Sequence, residues 1–163
     1  MKLIRQDEFY TCGCACMRMV LNNFGLVVPS ELEMIKLLNT NKTQGTPVKS
    51  LIAAGDIFGL YAYIEEDASL ELAEYLKSHG YELIFIISVD VPHYVVYDGH
   101  NNNHVKLYDP FFGITSVLNK KFESNKQMHP HYRWRFIPSE FKHIELADFG
   151  NDNYNKSFIA YTK

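Results

Sequence analysis

Cysteine is scarce and oddly placed: Cys12, Cys14 and Cys16 are the three in the chain, within five positions of one another. An odd, clustered set cannot build the disulfide framework of a small secreted domain, and a reducing compartment suits it best. On a helix, residues 12 and 14 point to different sides. The Cys-x-Cys-x-Cys run is therefore a poor metal cage, since zinc sites pair closely spaced cysteines with ligands far along the chain. No metal or cofactor is expected. Long hydrophobic runs are also lacking. The longest, Leu83 to Val89, falls well short of the roughly 20 residues of a membrane span. The first residues, Met1 to Asp7, carry no apolar core of a signal peptide. A cytoplasmic protein is expected, and export by a specialised secretion system is compatible with the same sequence. Basic residues are not in excess: 16 Lys and Arg face 19 Asp and Glu, for a net charge of -3. No global field attracts nucleic acid or an anionic membrane. Internal repeats and low-complexity runs are absent.

What is present is an ordinary globular balance, 47% hydrophobic and 21% charged over 163 residues, which suits a single domain over 1–163. Thr11 is placed to cap a first helix beginning at Cys12, with Ala15, Cys16, Met19 and Val20 as its buried stripe and Gly25 just past its end. Pro29-Ser30 opens a second helix, Glu31 to Leu38, with Leu32, Ile35 and Leu38 inward. A polar loop over 39–46 leads to a third helix ending near Phe58 that buries Leu51 and Ile52. The period then changes. Leu60 to Ile64 reads as a strand, Ser69 to His79 as a helix ended by Gly80, and Tyr81 to Val89 as a central strand. His93 to Asp98 and His104 to Asp109 form a hairpin about Gly99–Asn103, followed by a strand over Ile114 to Leu118. Residues 119–135 are polar and without period. A short helix about Ser139-Glu140-Phe141 and a closing strand from Ser157 to Tyr161 complete the pattern. Helices first and an antiparallel sheet afterwards is an α+β order.

The chemistry concentrates at Cys12. A thiol at a helix N-terminus meets unpaired N–H groups and the positive end of the dipole. It ionises more readily there, and the thiolate is the reactive form. A cysteine hydrolase also needs an imidazole, a group to orient it, and donors for the oxyanion. The hairpin supplies the first two. With Gly99–Asn103 as the loop, His93 directly faces Asp109, and facing residues have Cβ atoms about 4.5–5.5 Å apart. A register shift of two leaves both on one face. Cys14 and Cys16 read as helix packing. His129 and His131 lack a third ligand and read as solvated. Tyr132 to Phe136 interleaves aromatics with cations, but in an acidic chain it reads as a packed strand or a peptide-binding rim.

Gln6, five residues, Cys12-Gly13 and a helix resemble the nucleophile segment of the C39 peptidases, papain-like enzymes that trim bacteriocin and peptide leaders. Pro92-His93-Tyr94-Val95-Val96 resembles that family's His-[Phe/Tyr]-Val-Val segment, and Asp109-Pro110-Phe111-Phe112-Gly113 its Asp-Pro-x-x-Gly segment. The resemblance covers residues 4–118. It implies a papain-like α+β fold, N-terminal helices packed on a C-terminal antiparallel sheet. It also implies Cys12 as nucleophile, His93 as general base and then acid, Asp109 as its orienting group, and Gln6 as an oxyanion donor beside the Cys12 N–H. Two positions depart from the pattern: Thr11 stands where the family commonly has Asp, and Cys14 where an aliphatic residue is usual. No membrane or nucleotide-binding region follows the motifs, so a stand-alone domain is expected. The expected reaction is hydrolysis of a peptide or protein amide or isopeptide bond. Deamidation of a protein glutamine, acyl transfer, or a silent peptide-binding domain are alternatives on the same scaffold. The sequence names neither the cleavage site nor the oligomeric state.

Overall fold

Twelve residues, Cys12–Asn23, form helix α1, and Gly25 at φ 69° ends it. The expected stripe is wider than the spacing suggests. Every residue from Cys12 to Leu21 is buried except Arg18, which is half-buried. Fully burying an aliphatic or Met side chain is worth about 1.5–3 kcal/mol, so Met17, Met19, Val20 and Leu21 supply far more than the propensity of so short a helix. The computed structural model describes residues 1–66, 68–89, 91–122, 133–134 and 158–163. The expected helix at 139–141, the His129/His131 pair and most of 119–135 lie outside them.

Helices α2 (Glu31–Leu37) and α3 (Val48–Ile57) follow. A full capping box starts α2: Ser30 accepts from the Glu33 N–H while the Glu33 carboxylate accepts from the Ser30 N–H. Of the three residues expected inward on α2, Leu38 is buried and Ile35 packs against the core, but Leu32 is 63% exposed, and Met34 and the first-turn Glu31 are buried. The helix is rotated because the Glu31 carboxylate collects hydrogen bonds from the segment preceding α1.

Strand β1 (Tyr61–Glu65), helix α4 (Leu70–Ser78), capped by Ser69, and strands β2 (Glu82–Val89), β3 (Val91–His100), β4 (His104–Asp109) and β5 (Gly113–Leu118) come next. A short helix α5 (Asn119–Phe122) and strands β6 (Arg133–Trp134) and β7 (Phe158–Thr162) complete the described chain. The sheet runs β1-β7-β2-β3-β4-β5, with β6 also paired to β2, and every pairing is antiparallel. The closing strand thus enters between β1 and β2.

The hairpin register also differs from the expected one. Val96 pairs with Tyr108 and Tyr97 with Leu107, and the register shifts at Asp98. This bulge is held by an ion pair between Asp98 and Lys106 at 2.6 Å. Continuing the ladder sets Asp109 level with Val95, two residues beyond His93, so these two meet diagonally.

The sheet has a core on each face. On one, α1, α2 and α3 pack over Ile84, Ile86, Tyr94, Val96 and Ile159. On the other, α4 and Phe122 cover Leu83, Phe85, Val95, Tyr97 and Phe158. Phe85 is central to the second, stacking on Tyr97, Phe158 and Phe122 at centroid distances of 4.9, 5.3 and 5.9 Å. Phe85→Ala is expected to lower the unfolding free energy by about 3–5 kcal/mol in urea titration. A loss under ~1 kcal/mol would contradict this packing.

Candidate active site

Helix α1 is covered from Cys12 to Leu21 except at Arg18, and it reaches the surface at Asn22 and Asn23. Cys12, the first helical residue, is 7% exposed, whereas Cys14 and Cys16 are fully buried. Residue 13 must be glycine because a loop crosses the helix there. A Cβ on Gly13 would lie 2.6 Å from the Thr46 Cβ. Thr46 is fixed in turn by its carbonyl, which accepts from the Tyr94 hydroxyl at 2.9 Å. Thr46 Oγ1 also lies 2.9 Å from Thr40 Oγ1, which is 3.2 Å from the Cys14 sulfur.

Thr11 occupies the N-cap position but does not cap. Its hydroxyl is turned to the Glu8 carbonyl (2.9 Å) and to Glu31 Oε1. The first N–H groups of α1, which have no partner within the helix, therefore receive no side-chain cap.

His93 and Asp109 stand at neighbouring ends of β3 and β4. His93 Nε2 lies 3.0 Å from Asp109 Oδ1. The same oxygen accepts from the Phe111 and Phe112 N–H groups at 2.7 and 2.9 Å, closing the turn after β4. Asp109 is fully buried and His93 is 8% exposed. Gln6 comes to this turn from the N-terminal segment. Its backbone N–H donates to the Pro110 carbonyl at 3.2 Å. Its side-chain amide donates to the Glu8 carbonyl at 2.8 Å, leaving a second N–H on that nitrogen. Arg5 donates to the Phe111 carbonyl and lies against Gly113, whose φ is 101° and where a Cβ would come within 3.0 Å of the guanidinium.

The electrostatics couple the imidazole to its neighbours and raise the two deeper thiols. Burial by itself would lower the His93 pKa. The negative charge of Cys12, the hydrogen bond to Asp109 and a side-chain hydrogen bond with Cys12 outweigh it and raise the value to about 10. Burial would likewise raise the Asp109 carboxyl, but the His93 bond and charge, with the Phe112 and Phe111 N–H groups, hold it below the ordinary range. Burial pushes the Cys14 thiol up against the opposing bonds from Thr40 and Thr46. It pushes Cys16 well up, aided by the nearby negative charges of Cys12 and Asp109.

All four residues singled out in the sequence thus lie on three segments joined by hydrogen bonds: Gln6 and Cys12 on one, His93 on β3, Asp109 at the end of β4. Sequence reasoning missed Glu31, Arg18 and Thr46. Pro29-Ser30 marks the start of α2 in the sequence, but an acidic residue in a first helical turn is ordinarily solvated, so the burial of Glu31 left no signal.

Comparison with known proteins adds the following. The model of the peptidase C39 family matches residues 1–127. An uncharacterized protein of Methanothermobacter thermautotrophicus is 32% identical over 120 residues, covering 74% of this chain and 79% of that one. The peptidase domain of Streptococcus ComA, a bi-functional ABC transporter of a quorum-sensing pathway, superposes with a TM-score of 0.68 at 20% identity, covering 99% of this chain and 97% of that one. A double glycine motif protease from an AMS/PCAT transporter, in complex with its leader peptide, superposes with a TM-score of 0.64 at 16% identity, covering 98% and 89%. These two likenesses establish the shared papain-like peptidase fold.

The raised His93 pKa has a measurable consequence. A folded value above the ordinary 6.5 contributes stability that is present below about 6.5 and is lost as pH rises through the folded value of about 10. In Asp109→Asn two of the raising influences are removed and burial gains weight. NMR titration of the His93 ring should therefore find its midpoint at lower pH than in the wild type. An unchanged or higher midpoint would contradict the coupling.

Proposed function

The chain belongs to the peptidase C39 family, and on that premise we propose that it is a cysteine peptidase that cleaves a peptide through Cys12, His93, Asp109 and Gln6. The observation that carries this reading is the buried His93–Asp109 pair beside the N-terminal end of α1. Asp109 Oδ1 lies 3.0 Å from the imidazole Nε2, and the influence of Cys12 on the same ring raises its pKa. In the proposed reaction Nδ1 is the ring nitrogen that serves the sulfur.

In the proposed reaction the Cys12 thiolate attacks the peptide carbonyl carbon. A C–S bond forms and the carbonyl electron pair moves onto oxygen. The resulting oxyanion accepts from the Cys12 N–H and the second amide N–H of Gln6. Protonated His93 gives its Nδ1 proton to the departing amine as the C–N bond breaks, leaving a thioester. His93 then takes a proton from water, the hydroxide adds to the thioester, and the thiolate is expelled. Asp109 keeps the ring oriented and favours its protonated form.

A peptide substrate is supported by the leader peptide bound to the structurally similar double glycine protease. It is also supported by the exposed aromatics on the two segments flanking Cys12. Phe9 is 71% exposed, and Phe111 and Phe112 are 56% and 53% exposed. We assign the whole of 1–163 to one domain, because β7 near the C-terminal end pairs with both β1 and β2. Among the described residues no helix is long and apolar enough to cross a membrane.

Cys12→Ala should lower kcat on a leader-type peptide at least ~10³-fold, and Gln6→Ala should lower it about 10²–10³-fold with a smaller change in KM. Mass spectrometry of the products reads the reaction type. Backbone cleavage is expected, whereas ammonia release without cleavage would favour deamidation. Full turnover by Cys12→Ala would refute the assignment.

A further inference from the structure

Glu31 is the buried charge that the reaction itself does not use. It is 7% exposed at the first turn of α2. Its Oε1 accepts from the Asp7 N–H at 3.0 Å and also from the Thr11 hydroxyl. Its Oε2 lies 3.5 Å from Arg18 Nη1, and Arg18 is held by the Pro29 carbonyl at 3.0 Å. Asp7 directly follows Gln6, and Thr11 directly precedes Cys12. One carboxylate oxygen thus gathers both flanks of the 7–11 loop, whose outer neighbours carry the two proposed oxyanion donors.

We propose that Glu31 is the positioning residue of the oxyanion hole: it fixes the separation between the Gln6 amide and the Cys12 N–H, and it keeps the Thr11 hydroxyl from capping that end of α1. This rests on the assignment of Cys12 as nucleophile and Gln6 as oxyanion donor. The physical need is plain. Oxyanion donors act only when set about 2.7–3.1 Å from where the charge develops, and a five-residue loop has many conformations that would place them elsewhere. A hydroxyl at the N-cap ordinarily accepts from a first-turn N–H. Here its oxygen is turned away from the helix and accepts from the Glu8 N–H at 3.3 Å, while its proton faces the Glu8 carbonyl and the buried carboxylate. The charge of that carboxylate is balanced by Arg18 from within α1.

The test separates thiol reactivity from oxyanion stabilisation. Iodoacetamide alkylates a thiolate by direct displacement and forms no oxyanion. p-Nitrophenyl acetate acylates the same thiolate through one, and neither reagent needs a specific peptide. Both rates are measured at Cys12 in the wild type, Glu31→Leu, Glu31→Gln and Thr11→Val, with folding checked by circular dichroism. Glu31→Leu is expected to lower the acylation rate at least ten-fold with alkylation changed less than two-fold, and Thr11→Val to act in the same direction. Glu31→Gln keeps an acceptor oxygen and should remain within about three-fold of the wild type. An unchanged ratio of acylation to alkylation in folded Glu31→Leu overturns the proposal. So does an equal fall of both rates, which would make Glu31 a support of the thiol alone. So does a loss in Glu31→Gln as large as in Glu31→Leu, which would make charge, not geometry, the cause. Equal sluggishness of Cys12 to both reagents in the wild type would instead refute the nucleophile assignment, and this inference with it.

Discussion

The site depends on the burial of helix α1, which is covered from Cys12 to Leu21 except at Arg18, with Asn22 and Asn23 exposed at its far end. The sheet lies on one side of it, and α2 with the loop ending at Thr46 closes the other. Its N-terminal turn is where the chain can offer a side chain, backbone N–H groups and the positive end of a dipole at one point. Packing that gives Met17, Met19, Val20 and Leu21 no solvent contact also leaves Cys12 as the one of the three cysteines with any exposure. The neighbours of the first turn follow from the same constraint. Gly13 admits the crossing loop, Tyr94 pins that loop by its hydroxyl, and His93 immediately precedes Tyr94 on β3.

Asp109 and His93 lie side by side at this end, each lowering the cost of burying the other. Asp109 could not be buried as an anion without partners. It has the imidazole and two backbone N–H groups on one oxygen. A protonated imidazole would be disfavoured by its own burial, and the two anions beside it reverse that preference. Cys14 and Cys16 sit in the same helix without such company, and burial keeps them as neutral thiols. The two deeper thiols are thus set apart from Cys12 by their depth.

Much of this could be read in the sequence, for local reasons. The nucleophile helix, the central strand β2 and the β3–β4 hairpin carry strong apolar patterns, and each site motif sits inside one short stretch. The parts that could not be read depend on non-local partners. The hairpin turns later than expected, with His100 paired to Val105, and the one-residue bulge at Asp98, beside its ion pair with Lys106, brings the net register change to two. His93 and Asp109 therefore meet diagonally; the shared face survived because a net shift of two preserves it. Leu32 fits an inward position by spacing, yet the hydrogen bonds of Glu31 to residues about twenty positions earlier turn the helix the other way. Thr11 looks like a helix cap by type and position, and the same carboxylate takes its hydroxyl. The insertion of β7 between β1 and β2 joins residues about a hundred apart, and no local pattern encodes that.

The central claim is that depth and neighbours single out one thiol of three, and its most direct measurement is a map of thiol reactivity in the folded protein. The protein is treated at neutral pH with a limiting amount of iodoacetamide, digested, and the label located by mass spectrometry. The account predicts label on Cys12 alone, with a labelling rate that falls when His93 is replaced by Ala. Label distributed evenly over Cys12, Cys14 and Cys16, or a rate at Cys12 indifferent to His93, would contradict it.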